Sequence, residues 1–321
     1  MPVSFKDTLV VGVSSTALFD LRESDKIFRE ARDKLGDDAA IRKYRQHMFD
    51  TEDDILGSGT GMPVVKALLE LNKHSDDNNS PLVQVVVMSK NSPETGVRIL
   101  NSIREFGLNI PRTVFTGGET VTDYLPAYDV DLFLTTDVQD AQKVADSREC
   151  AVALLKEPPK SEEGEILDKV RIAFDGDAVL FDEESELVYK AEGLEEFLEH
   201  ERVHENEPMS EGPYANFLKK LSRLQERLPH QMEFSPIRIA IVTARNSPAD
   251  IRVIKTLRHW GVYADAAFFM GGLEKTQVLK AFKPHIFFDD QDVHLKKASS
   301  IVPSGQVPYP SDSPLAKSKK K

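Results

Sequence analysis

Cysteine is nearly absent from this chain, which has 321 residues and a single cysteine, Cys150. One thiol forms neither an intrachain disulfide nor a cysteine metal cluster, so the sequence fits a reducing compartment without requiring one. Long apolar runs are also lacking. The run LVVGV near the N-terminus is far too short to span a bilayer, and the layout of a signal peptide is missing. We therefore expect a cytoplasmic protein with no membrane partner.

A surplus of positive charge is missing as well, because 53 acidic residues outnumber 41 basic ones and the formal net charge is −12. This balance argues against a nucleic-acid groove or a polybasic membrane patch. It still permits a small anionic substrate, because helix N-termini, a lysine and a metal ion can form a local site that opposes the overall sign. A hydrophobic content of 40% predicts a real core, and the length corresponds to about two domains.

An internal repeat organises the chain. The segment VMSKNSPETGVRILNSIREFG from Val87 matches VTARNSPADIRVIKTLRHWG from Val242 at its NSP, arginine and glycine positions. Two further blocks match in the same order, LVVGVSSTALFD with RIAFDGDAVLFD, and FTGGETVTDYLPAYDVDLFLTTD with FMGGLEKTQVLKAFKPHIFFDDQ. This order indicates an ancient duplication. We expect one repeat over residues 1–155, a second over 156–302 with a weakly structured hinge at 156–169, and a disordered, proline-rich tail over 303–321.

Both repeats alternate strand patterns with helix patterns. Such alternation predicts an α/β fold in which parallel strands carry helices on both faces and ligands bind at the carboxyl ends of the strands. The predicted strands are residues 9–13, 82–88, 113–115 and 130–134 in the first repeat and 170–174, 237–243, 267–269 and 286–288 in the second.

The second repeat places reactive side chains directly after its strands. A carboxylate there can attack phosphorus, and a second one two residues later can protonate the leaving alkoxide and then activate water. A threonine hydroxyl and a lysine ammonium suit the non-bridging phosphate oxygens, and carboxylates from two strand ends are the hard ligands that Mg²⁺ prefers. The residues are Asp175, Asp177, Thr243, Lys275, Asp289 and Asp290.

Each of these signals is weak alone. A DxD pair is more often a solvated turn, a loop lysine is nearly always a surface residue, and a DD pair after a strand is commonly a helix cap. Four such signals in fixed order at successive strand ends rarely coincide by chance. Response-regulator receivers also use Asp, Thr and Lys at strand ends, but their acidic pair comes first. Here DxD opens the series and DD closes it, an order that fits a phosphatase better.

The motifs FDGDAVLFD, IVTARN, GGLEK and FFDDQD resemble the four motifs of the haloacid dehalogenase superfamily. Together with VSSTALFD and NSPETG, they more closely resemble the cytosolic 5'-nucleotidase I family, which prefers AMP, over about residues 9–302. The resemblance implies Rossmann-like parallel sheets of haloacid dehalogenase type, with a helical cap over about residues 182–236. It also implies hydrolysis of nucleoside 5'-monophosphates through an aspartyl-phosphate.

Carried over residue by residue, the resemblance implies that Asp175 is the nucleophile and Asp177 the acid/base. It implies that Thr243 and Lys275 hold the phosphate. Five positions are expected to contact the substrate or its phosphate beside Thr243: Gly176, Ala244, Arg245, Asn246 and Lys275. The matching Lys90 and Asn91 of the first repeat leave a structural role open for Arg245 and Asn246.

Mg²⁺ is the cofactor that the resemblance implies. Its implied ligands are Asp175, the backbone carbonyl of Asp177 and Asp290, with Asp289 either as a further ligand or as a supporting group.

The first repeat has lost these groups, so we expect it to be chemically inert. It is either a scaffold for packing and assembly or a second nucleotide site, and the resembled family's activation by ADP motivates the second hypothesis. We also expect a homo-oligomer. When the two repeats are aligned, the residues of the first that correspond to the catalytic set of the second are Val13, Ser15, Met88, Val121, Thr135 and Thr136.

Two alternatives to an AMP-hydrolysing enzyme remain open at this stage. One is a phosphatase of sugar phosphates or other small phosphomonoesters, and the other is a non-catalytic nucleotide-binding regulator. The complete catalytic set favours an enzyme. In the expected cap, Phe197, Tyr214 and Phe217 are more typical of a core than of a base-stacking site. His200 and His204 are more typical of a solvated helix face than of a metal site.

Overall fold

The computed structural model describes residue 5 and residues 7–75, 81–159, 169–228 and 235–318. Strands β1 to β12 are, in chain order, Leu9–Val13, Phe19–Asp20, Gly57–Ser58, Val83–Ser89, Arg112–Phe115, Leu132–Thr135, Ala151–Leu155, Val170–Phe174, Ile237–Thr243, Ala266–Phe269, Ile286–Asp289 and Ser304–Gln306. Helices α1 to α13 are Ser15–Leu18, Arg22–Leu35, Asp37–Asp50, Met62–Glu70, Val97–Glu105, Val138–Ser147, Glu184–Glu192, Leu194–Val203, Ala215–Glu226, Ala249–His259, Thr276–Phe282, Asp292–Ala298 and Pro314–Ser318.

Ten strands form one sheet in the order β10-β9-β8-β11-β12-β7-β6-β1-β4-β5. Among the described residues, neighbouring strands of this sheet run parallel, apart from β12 and β7. These two strands run antiparallel where the two halves meet. The fold is therefore mixed α/β with a large, mostly parallel sheet, consistent with a Rossmann-like arrangement. The β-branched runs form buried strands because both sheet faces are covered.

The eight predicted strands are present to within two residues at each end. Sequence analysis missed β7 and β12, which join the two halves. β12 has the sequence SGQ, without the alternating or β-branched pattern that marks a strand. Its central residue must be glycine, since a Cβ at Gly305 would lie 2.8 Å from the Cβ of Ala153.

The expectation of a disordered tail is wrong for residues 303–318. β12 pairs with β11 on one side and β7 on the other, and Tyr309 and Leu315 are buried against Ala178. A proline-rich segment builds no core of its own, but this one adds its few apolar side chains to an existing surface. Residues 319–321 lie outside the described part of the chain, as do residues 160–168 of the predicted hinge. Before that gap, the Lys156 N–H donates to the Ser304 carbonyl at 2.9 Å.

The core is shared between the halves on one face of the sheet. There, side chains from strands of both halves, such as Val11 and Ile172, belong to one continuous apolar cluster. On the opposite face each half has its own cluster, represented by Val10 and by Ala173. In addition, α9 of the second half contacts β1 of the first, and α4 of the first half contacts β8 of the second. In the described residues, no helix is long and apolar enough to cross a membrane.

Candidate active site

Three adjacent strands of the second half end at one edge of the sheet, and the predicted residues meet there. β8 lies between β9 and β11, and parallel strands bring their carboxyl ends to the same edge. Lys275 joins the cluster from the residue preceding α11. These residues are at most 5% exposed: Asp175, Thr243, Lys275, Asp289 and Asp290.

The Lys275 ammonium ties the ends of β8 and β11 together. Its Nζ lies 2.8 Å from Asp175 Oδ2 and 2.7 Å from Asp289 Oδ2. The other oxygen of Asp175, Oδ1, accepts the N–H of Gly176 at 2.7 Å. Asp289 Oδ1 accepts the N–H of Gln291 at 2.8 Å, and Asp289 Oδ2 lies 3.1 Å from His294 Nδ1. Asp289 is therefore fully engaged.

Burial sets the electrostatics of this cluster. Burial raises the pKa of Asp175 to about 7, a rise that Lys275 opposes and Asp289 increases. Burial also raises the pKa of Asp290 well above its ordinary value, and the charges of Asp175 and Asp289 add to this effect. Burial acts against the charge of Lys275, but the two carboxylates beside it raise its pKa above the ordinary value. Three buried carboxyl groups thus lie together with one ammonium group, which contacts two of them, an arrangement that attracts a further cation.

A tight turn over Gly176–Leu180 follows Asp175. Within it Ala178 has φ 58°, and the Phe181 N–H donates to the Gly176 carbonyl at 3.0 Å. Gly176 allows this turn to approach β9, because a Cβ there would lie 3.2 Å from Thr243 Oγ1. A side chain between the two aspartates would therefore require Thr243 to shift by a few tenths of an ångström.

Asp177 is held by Arg245. Arg245 Nε donates to Asp177 Oδ2 at 2.8 Å and its Nη2 donates to Asp177 Oδ1 at 2.6 Å, a bidentate pair. The third nitrogen, Nη1, donates to Glu201, which also accepts from Arg252 Nη1 at 3.0 Å and from Ser185 Oγ at 2.7 Å. All three guanidinium nitrogens of Arg245 thus contact carboxylates of the protein in this structure. Sequence analysis missed Glu201, since no local pattern marks it.

Two other residues that were predicted to contact the substrate lie at the exposed edge of the acidic cluster. Ala244 and Asn246 are exposed, on either side of the buried Arg245. The Asn246 side chain approaches Gly271 of the Gly-Gly turn, since its Cβ lies 3.4 Å from where a Cβ of Gly271 would stand. The structure thus brings the β9 loop and the Gly-Gly turn together at the mouth of the cluster.

Asp290 meets a residue that sequence analysis did not identify. The Tyr309 hydroxyl donates to Asp290 Oδ2, and Gln306 Nε2 donates to the Asp290 carbonyl at 3.3 Å. Asp290 Oδ1 is buried and has no hydrogen-bond partner among the described residues. A buried carboxylate oxygen without a donor is costly unless a cation or water satisfies it. The acidic cluster therefore fits a divalent cation.

His294 is a further residue that was not among the predicted site residues. One ligand atom each from Asp175, Asp289 and His294 lies within 4.8 Å of the others. The Lys275 ammonium already contacts the two carboxylates, so the unpartnered oxygen of Asp290 is the better indicator of the cation position.

The insert after the turn divides into two parts. In α9, Phe217, Leu218 and Leu221 are buried in the shared core, so this helix belongs to the layer on the sheet. α7 and α8 remain beside the cluster through Ser185 and Glu201. Phe197 on α8 is buried, with Arg245 Cζ 5.4 Å from its ring centroid. Phe197, Tyr214 and Phe217 therefore pack within the protein, and residues 229–234 of the expected cap lie outside the described part.

The corresponding edge of the first half carries hydroxyl groups. Ser15 Oγ lies 2.9 Å from Ser89 Oγ, and Thr136 Oγ1 donates to Thr16 Oγ1 at 2.5 Å. Lys90, which stands opposite Arg245 in the repeat, contacts Asp137 at 3.1 Å and Asp140 at 2.9 Å. This edge keeps polar groups but has the hydrophobic Val13 where the second half has Asp175.

Two comparisons with known proteins relate this chain to 5'-nucleotidases. A family model described as 5'-nucleotidase matches residues 1–314. The chain is 34% identical over 307 residues to the protein named cytosolic 5'-nucleotidase 1B of Homo sapiens, covering 94% of this chain and 48% of that protein. The chain thus spans about half the length of this curated relative. No solved structure matches the chain.

Proposed function

Because the chain belongs to the 5'-nucleotidase family, we propose that it hydrolyses nucleoside 5'-monophosphates, AMP foremost, to nucleoside and phosphate. One observation carries the proposal: Asp175 is buried at a strand end and paired with Lys275, while Asp177 stands two residues later on the adjoining turn. The set supports nucleophilic attack on phosphorus with an acid/base group beside it.

In the first step a carboxylate oxygen of Asp175 attacks phosphorus and the bond from phosphorus to the 5' oxygen breaks. For this step Asp177 leaves its bidentate pair with Arg245 and carries a proton, which it gives to that oxygen as the nucleoside leaves. In the second step water attacks the phosphorus of the aspartyl-phosphate, its proton passes to Asp177, and the bond to Asp175 breaks. Phosphate is released and both side chains return to their starting states. Thr243 and Lys275 stabilise the charge on the non-bridging oxygens.

Mg²⁺ is the proposed cofactor, held by Asp175, the backbone carbonyl of Asp177 and Asp290. When bound, it would neutralise charge on the phosphate oxygens. The unpartnered Asp290 Oδ1 supports this ligand set. Asp289 supports the cation site indirectly, because its two carboxylate oxygens are already engaged by Lys275, Gln291 and His294.

The experiment is phosphate release from a panel of nucleoside monophosphates and sugar phosphates, with and without Mg²⁺. We expect Mg²⁺-dependent release that is fastest with AMP, and a loss of at least about 1,000-fold in Asp175→Asn. The control is Asp123→Asn, an exposed carboxylate of the first half. Release from sugar phosphates instead would retain the mechanism and reject the nucleotide. No hydrolysis, even with ADP added, would favour the nucleotide-binding regulator.

We further propose a haloacid dehalogenase type of fold that arose by duplication, with repeats at 1–155 and 156–302. The strand order supports this proposal, because along the sheet each half runs third, second, first, fourth, fifth, with β12, which follows residue 302, counted as the fifth strand of the second half. Superposing the two halves in an experimental structure would test it, and unrelated helix positions would count against it. α7 and α8 are the proposed cap over the substrate.

The first half is proposed to bind a nucleotide activator such as ADP at its hydroxyl-lined edge. The protein is also proposed to be a cytoplasmic homo-oligomer. Ser15 and Thr136 support a polar pocket there. ADP binding that persists in Asp175→Asn and disappears in Ser15→Phe is the expected result. Sedimentation of the intact protein would test the oligomer.

A further inference from the structure

The C-terminal segment passes directly beside the proposed metal ligand. β12 runs parallel to β11 with Asp289 opposite Gln306, and the Val307 N–H donates to the Asp289 carbonyl at 3.0 Å. Two strands in parallel register advance together, so the residues after Gln306 remain next to those after Asp289. This register carries Tyr309 to Asp290.

Tyr309 is held in one place from several sides. Prolines precede and follow it, at 308 and 310, and restrict the backbone on both sides. Its carbonyl accepts from Gln142 Nε2 on α6 at 2.9 Å, a contact with the first half. Tyr309 as a whole is 8% exposed and packs with Ala178 and Leu315.

The two oxygens of the Asp290 carboxylate have different surroundings. Tyr309 donates to Oδ2, whereas Oδ1 is buried and unpartnered among the described residues. A carboxylate whose second oxygen accepts a hydrogen bond has its plane and rotamer fixed, so its first oxygen faces one direction.

We propose that Tyr309 is a positioning residue, which fixes Asp290 so that Oδ1 is presented to the divalent cation. This inference rests on the proposed function, because it assumes the cation there. The C-terminal segment is then a part of the active site, which the first half holds in place through Gln142. In this role the phenol acts through its hydrogen bond to Asp290.

The test compares Tyr309→Phe with the wild type by calorimetric titration of Mg²⁺ and by the electron paramagnetic resonance spectrum of bound Mn²⁺. Removing the hydroxyl should raise the Mg²⁺ dissociation constant about 10-fold, as expected for loss of a group that supports a metal ligand. The Mn²⁺ spectrum should change as well. At saturating Mg²⁺ the KM for AMP should stay within about 2-fold of the wild type, because the phenol supports only the metal ligand.

Two controls separate the hydrogen bond from its surroundings. Tyr263→Phe removes a hydroxyl from a tyrosine that is 47% exposed, and should leave Mg²⁺ affinity unchanged. Leu315→Ala weakens the packing of the segment while keeping the phenol, and should change the dissociation constant by less than about 2-fold because the hydrogen bond remains.

Each remaining outcome is decisive. An unchanged Mg²⁺ affinity in Tyr309→Phe would overturn the positioning role while leaving the nucleotidase proposal intact. Equal weakening in Leu315→Ala would assign the effect to packing and overturn it too. A wild type that binds no Mg²⁺ would instead reject the proposed cofactor, and the positioning role with it.

Discussion

At the scale of single residues, burial decides which charged groups affect the stability of the fold. Glu201 has a fully buried side chain, and it faces Arg245 and Arg252 as well as the hydroxyl of Ser185. Buried charges persist only where they are paired, since removing one partner leaves the others uncompensated. The DxD motif marks Asp175 in the sequence, but a glutamate within LEEFLEHERV belongs to no such motif. Only the folded chain identifies it.

Replacing Glu201 by glutamine should lower the free energy of unfolding by about 3 kcal/mol at pH 7. Burial opposes ionisation of Glu201, but Arg245, Ser185 and Arg252 hold its pKa below the ordinary value of 4.5. A carboxyl group with a lowered pKa stabilises the fold above its unfolded pKa, and this stabilisation disappears as the pH falls through the folded pKa. The difference between wild type and variant should therefore shrink below pH 4.5.

Urea unfolding of both proteins between pH 3 and pH 7 is the measurement for Glu201. The matched control is Glu199→Gln on the same helix, where the side chain is 57% exposed and pairs with Arg202. A difference that stays constant with pH would show that Glu201 contributes no charge-dependent stability.

At the scale of secondary-structure elements, the strands with local patterns were predictable and the C-terminal segment was not. IRIAIVT has the β-branched, apolar character of a buried strand, and its position as β9 was predicted. In contrast, SGQ becomes β12 only because β11 and β7 offer open edges on both sides. Pairing of this kind depends on partners distant in sequence.

The anchor of this segment is Leu315, which is fully buried against Ala178 and Leu187. We predict that Leu315→Ala lowers the free energy of unfolding by about 2 to 3 kcal/mol, through lost burial and the cavity left behind. Denaturant unfolding of the intact protein would measure this, with the exposed Lys317→Ala as the control. Equal stabilities would mean that the segment adds nothing to the fold.

At the scale of the whole molecule, the two halves share structure that neither completes alone. One face of the sheet has a single apolar cluster with members from both halves. Polar contacts also cross the boundary, such as Lys220 Nζ to Asp131 Oδ2 at 2.7 Å. The repeat in the sequence indicates two similar units, but their union into one sheet was not predictable from it.

We therefore expect that a fragment of residues 1–155 does not form a stable fold by itself. In isolation it would expose the apolar face that α9 and the second half cover. Circular dichroism and thermal unfolding of the fragment would test this, and co-expression with residues 156–321 should restore a soluble complex. A cooperative thermal transition in the fragment alone would contradict the expectation.

The sequence by itself determined the alternation of strands and helices in each half and the reactive side chains at the strand ends. Apolar periodicity is local, and parallel strands place successive strand ends at one edge, so Asp175, Thr243, Lys275, Asp289 and Asp290 could be expected to meet. The tertiary structure alone decided the antiparallel pairing of β12 with β7, the contact of Tyr309 with Asp290 and the bidentate ion pair of Arg245 with Asp177. These contacts join residues without a periodic pattern, and their energy comes from burial and charge pairing, which exist only once the chain is folded.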